Sequence, residues 1–165
     1  MTAFPSRELA EHLVATAWSE YDSTRTIDHL VEVSAHVSTN RVFRVVFNDS
    51  SHIVAKISSY GSYFLFAEDH DRLFTSAQLL RGTRWEGFLA EVLPRDGHAY
   101  TWYDGNLWVA FYGEASKRDM LPPQLNREQS RCLAQEIAQF HLVCDSISTE
   151  IPATSNSIKS DAIHL

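Results

Sequence analysis

The run Val42-Phe43-Arg44-Val45-Val46-Phe47, then Asn48-Asp49-Ser50-Ser51, then Ile53-Val54-Ala55-Lys56-Ile57 decides the fold class. Two segments rich in β-branched and aromatic residues flank a cluster of turn formers, so each segment reads as a strand. A connection this short joins only antiparallel neighbours, because parallel strands need a crossover of about a dozen residues or more. Just upstream, Leu30, Val31, Val33 and Val37 start another strand, and Ser38-Thr39-Asn40 is turn chemistry. The unit is a three-stranded meander.

Helical spacing brackets it. Leu9, Leu13, Val14, Ala17 and Tyr21 recur at three- and four-residue steps behind Ser6, a natural N-cap. Residues 64–81 repeat the pattern with Phe66, Leu73, Ala77 and Leu80 on one stripe. Glu68, Asp69 and Asp71 fall near the expected helix start, where the helix dipole favours carboxylates. Strands are then expected over 88–93, 98–103 and 107–112, separated by the hairpin signals Pro94-Arg95-Asp96-Gly97 and Asp104-Gly105-Asn106. A last helix over about 126–147 carries Leu133, Ile137, Phe140 and Cys144 on one face, capped by Asn126 or a neighbour. A helix inserted between the third and fourth strands of an antiparallel sheet is an α+β layout.

The 165 residues suit one domain, or one domain with a tail. Hydrophobic residues at 44% and charged residues at 21% are globular proportions, and nine Phe, six Tyr and four Trp argue against disorder. The net charge of −7 opposes general binding to nucleic-acid phosphates. No apolar run approaches the roughly 18 residues of a membrane helix, and residues 1–10 lack the look of a signal peptide. Cys132 and Cys144 lie twelve positions apart in one expected helix. That is about 18 Å along its axis, beyond disulfide reach, so both read as small buried apolar residues of a reducing, cytoplasmic compartment. The eight histidines stand singly, without zinc spacing. Neither a G-x-S-x-G, a Walker A nor a Rossmann glycine pattern occurs.

Lys56 carries the chemistry. An ammonium inside an apolar strand needs either an open face or an anion. The next helix offers Glu68 as a carboxylate partner, with Asp71 as its rival. These parts, in this order, resemble the N-terminal lobe of aminoglycoside phosphotransferase-like kinases, a superfamily that includes choline and homoserine kinases. The matching stretches are Ser38–Val45, Ile53–Lys56, the acidic helix, Val109–Glu114, and Leu133-Ala134-Gln135-Glu136-Ile137-Ala138-Gln139-Phe140-His141. Together they span about residues 28–145.

The resemblance implies a protein-kinase-like N-lobe at 28–113, preceded by an N-terminal helix (1–27). A hinge or linker and helix (114–147) and a polar tail (148–165) follow. It implies ATP and Mg²⁺ as cofactors. Ser38, Thr39 and Asn40 correspond to the turn over the nucleotide phosphates, here without the glycines that bare its backbone N–H groups. Lys56 corresponds to the lysine on the α- and β-phosphates, and Glu68 to its helix partner. Phe111, Tyr112 and Gly113 correspond to the hinge whose backbone pairs with adenine.

The pattern H-x-D-x-x-x-x-N, which supplies base and metal ligand in these enzymes, is absent. Downstream of His141 stand only Asp145, Glu150 and Asp161. Without that second lobe the chain is expected to be inactive alone, since removing a general base costs about 10²–10⁴-fold. Two explanations remain open: a piece of a longer kinase, towards which the abrupt end at Ile163-His164-Leu165 points, or a stand-alone binding or interaction module. The latter's sheet floor and hinge side would be covered by a second copy, making a homodimer, or by another chain.

Overall fold

The computed structural model describes residues 5–34, 40–59, 63–114 and 122–153. The elements are α1 (Arg7–Tyr21), β1 (Ile27–Glu32), β2 (Asn40–Phe47), β3 (His52–Ser58), α2 (Tyr63–Leu79), β4 (Pro94–Arg95), β5 (His98–Ala99), β6 (Thr101–Tyr103), β7 (Trp108–Gly113) and α3 (Arg127–Ile147). Five strands form one open antiparallel sheet in the order β1-β2-β3-β7-β6, and β4 and β5 make a separate hairpin. The architecture is α+β, as the pattern predicts.

Alternation along the strands divides the sheet into two faces. Phe43, Val45, Phe47, Ile53, Ala55, Ile57, Val109 and Phe111 point to one face and bury against Ala10, Leu13, Val14, Ala17 and Trp18 of α1. Ser6 caps α1 by accepting from the Leu9 N–H. Trp18 sits at the centre, its ring 4.7 Å from Phe47, 5.2 Å from Tyr21 and edge-on to Phe111 at 5.1 Å. Its indole N–H donates to the Arg25 carbonyl at 3.0 Å, so the one polar atom of the ring is satisfied. The helix expected as a separate N-terminal element is thus half of the main core.

Several boundaries differ from expectation. β1 begins at Ile27 rather than Leu30 and carries an irregularity between Ile27 and His29. α2 begins at Tyr63, which puts Glu68, Asp69 and Asp71 beyond its first turn and removes the dipole argument for them. The strand expected over 88–93 shrinks to one bridge, Val92 to Tyr112. β6 already occupies the adjoining edge of β7 from Trp108 to Ala110, and Pro94 brings no N–H to extend a ladder. The strand expected over 98–103 breaks at Tyr100, whose N–H turns to the Leu93 carbonyl at 2.9 Å. Asp96 and Gly97 both take positive φ, 54° and 84°, the requirement of the tight primed turn that the Asp-Gly pair signals.

α3 departs most. Its capping box is in place, with Asn126 and Gln129 bonding each other's backbone N–H. None of its 21 residues is buried, however. Phe140 leans on Trp85 and Phe88, and Glu136 pairs with Arg84. Cys132 is exposed and Cys144 half-exposed, so the expected burial of both thiols is wrong: their helix stands off the core. Among the described residues no helix is long and apolar enough to cross a membrane.

Trp18→Ala should cost about 3–5 kcal/mol in chemical denaturation, the range for emptying a large aromatic site. A loss below about 1 kcal/mol would mean that α1 is not part of the core.

Candidate functional site

The second face of the sheet is built from three cross-strand rows: Asn40, Ser58 and Trp108; Val42, Lys56 and Ala110; Arg44, Val54 and Tyr112. α2 lies over the β7 side of this grid. Phe66 packs on Trp108 with ring centres 5.0 Å apart, and His70 meets Tyr112. Ser58, Trp108 and Ala110 are buried there, whereas Val42, Arg44, Val54 and Lys56 remain half-buried.

Lys56 therefore projects to the α2 side. Its ammonium lies 5.4 Å from the Phe66 ring centre, near the outer limit of a cation–π contact. Partial burial pushes the Lys56 pKa below its ordinary value, and the charge of Asp69 on α2 pulls the other way. The acid whose field reaches Lys56 is thus Asp69, a residue the sequence did not single out as the partner. Glu68 and Asp71, about 100° and 160° around the helix from Asp69, line a cleft of about 420 Å³ with Phe74, Thr75, Gly97, His98 and Pro152. Asp71 there accepts from the Ala99 N–H at 2.8 Å, tying the β4–β5 hairpin to α2.

Asn40 opens β2 opposite Ser58, on the same face as Lys56; Ser38 and Thr39 lie outside the described residues. The three hinge candidates separate. Phe111 points into the α1 core, fully buried. Its carbonyl accepts from the Leu93 N–H, and the Gly113 N–H donates to the Glu91 carbonyl, each at 2.8 Å. The backbone groups expected to face adenine are already bonded to 91–93, so any free hinge edge begins at Glu114. Glu114 is held by Arg44 at 2.7 Å and by His52.

Tyr112 turns under α2, where its hydroxyl meets His70 Nε2. His70 is the site residue that sequence reading missed: one histidine among eight, marked only by its helical spacing from Phe66. Among the described residues of α2 it is the ionisable side chain that is buried. Among the described residues no group of three or more His, Cys, Asp and Glu side chains could hold a metal ion.

No protein-family model, curated protein or solved structure matches this chain. The geometry of the second face is accordingly what a functional reading rests on.

Lys56→Met should hold or raise the unfolding midpoint at pH 7, since it removes a partly desolvated charge while keeping the stem. Because the folded state lowers the Lys56 pKa, the unfolded chain binds more protons as pH climbs from that lowered value towards about 10.4. Wild type should gain stability relative to Lys56→Met across that window. A loss on substitution above about 1 kcal/mol would show a firm ion pair instead.

Proposed function

We propose that this chain is the nucleotide-binding lobe of a small-molecule phosphotransferase of the aminoglycoside phosphotransferase and choline kinase type, inactive without a second lobe. The observation that carries the reading is Lys56: a strand lysine, partly stripped of water, beside an inserted helix whose Asp69 charge opposes that desolvation. A desolvated ammonium with so little compensation is suited to an anionic ligand, and the oxygens of a nucleotide's α- and β-phosphates fit that need. Support also comes from element order: three meandering antiparallel strands, a helix, then further strands returning to pair with the third. The protein-kinase-like N-lobe is that arrangement by resemblance.

Magnesium does not fit the described residues, which offer no ligand set; the metal and the catalytic base would belong to the other lobe. Two free thiols suit a cytoplasmic setting.

A second reading, a non-catalytic interaction module working as a homodimer, is favoured by α3. Ile137 and Leu142 are 47% and 69% exposed on a helix with no buried residue, and Phe88 beside it is 53% exposed. Large apolar side chains left open to water on α3 and at Phe88 are of the kind that a partner covers.

Thermal unfolding separates the two. Millimolar Mg·ATP should raise the melting temperature by about 2–4 °C, the response of a domain this size to about 1 kcal/mol of ligand binding. Lys56→Ala should abolish the rise. An unchanged wild-type curve, or equal shifts in both proteins, would sink the nucleotide reading. A melting temperature that climbs with protein concentration, and stops doing so in Ile137→Glu, would favour the dimer.

A further inference from the structure

Beneath α2, His70 is 6% exposed and enclosed by Phe66 and Tyr112. Its Nδ1 lies 2.6 Å from the Phe66 carbonyl oxygen, and its Nε2 contacts the Tyr112 hydroxyl. A carbonyl only accepts, so Nδ1 carries the proton; in a neutral ring Nε2 is then an acceptor, and the Tyr112 hydroxyl donates to it. The bond joins the middle of α2 to β7, the strand next to β3. The side chain spans 42 positions of sequence and fastens the inserted helix to the sheet.

We propose that the His70–Tyr112 hydrogen bond is a pH-sensitive latch, closed with neutral imidazole and opened by acid, that sets how firmly α2 sits over Lys56. Protonation would make Nε2 a donor and force the Tyr112 hydroxyl, itself mostly buried, to redirect its proton towards a new acceptor. It would also place a second cation in the space that Lys56 already occupies. The titratable groups around the ring are Lys56 from β3, Asp69 and Asp71 from α2, and Tyr112 from β7.

Burial is the largest influence on the imidazole and lowers its pKa; the Lys56 charge acts in the same direction. The Phe66 carbonyl and the two aspartates oppose them without reversing the outcome. The unfolded chain, with histidine near 6.5, therefore binds more protons below that pH. The latch is fully closed above about 6.5, and its contribution is lost as pH falls from there towards the lowered folded value. Burial also raises the Tyr112 pKa, keeping the hydroxyl protonated as a donor throughout.

The test needs no nucleotide, so its outcome is independent of the kinase reading. Long-range ¹H–¹⁵N spectra of the full chain should show His70 as the Nδ1–H tautomer, titrating below the pH of an ordinary histidine. Hydrogen exchange at pH 7.5 and 5.5, corrected for intrinsic rates, should show α2 amides losing protection several-fold more than α1 amides. His70→Gln and Tyr112→Phe should each shrink that difference. A His70 that titrates at or above 6.5, an Nε2–H tautomer, or equal acid response of α1 and α2 would overturn the proposal. The wild-type spectra and exchange decide the matter even if a variant fails to fold.

Discussion

The middle strand of the sheet, β3, has to be covered on both faces, and most of the structure follows from how that is done. On one face Ile53, Ala55 and Ile57 meet α1 around Trp18. On the other, Val54, Lys56 and Ser58 share the sheet with Trp108, Ala110 and Tyr112, over which α2 lies. The first cover is apolar and closely packed around Trp18. The second contains a lysine, a histidine and a tyrosine hydroxyl, each partly or wholly removed from water. Such groups weaken a core unless they are paired. His70 and Tyr112 satisfy one another. Among the described residues, the ammonium of Lys56 meets the Phe66 ring and the field of Asp69.

That asymmetry leaves the sheet with one wholly apolar face and one that carries ionisable groups. In α2, Phe66, Asp69 and His70 stand at i, i+3 and i+4 and interact with Lys56 and Tyr112. The cleft on its far side, where Asp71 anchors the β4–β5 hairpin, fixes α2 from a second direction. Motion of α2 would therefore pull on both the hairpin and β7. Among the described residues α3 is tied through Arg84, Trp85 and Phe88, and Ile137 on its apolar stripe stays open to water.

The meander, the inserted helix and the caps at Ser6 and Asn126 were legible because each rests on local physics: period-two or period-3.6 patterning, turn residues, and side chains that reach the first helical N–H groups. Lys56 was legible for a similar reason, since an ammonium in an apolar strand stands out without any tertiary knowledge. The strand expected over 88–93 shrank to a bridge because strand formation depends on a free edge, and β6 had taken the 108–110 half of it. The burial of Cys132 and Cys144 failed because amphipathic spacing names a face and not the surface that meets it.

What the sequence determined by itself, then, is the kind and order of the elements, and that one lysine would lie in the sheet. Local propensity and spacing act within a few residues and need no knowledge of what lies across the fold. Only the tertiary structure decided that the charge of Asp69 reaches Lys56 and that Glu68 and Asp71 line a cleft instead. It alone joined His70 to Tyr112, and Phe111 and Gly113 to residues 91–93. Those outcomes depend on where α2 begins, how it is rotated about its axis and which strand reaches the β7 edge first. Packing sets all three over distances in sequence that no local pattern spans.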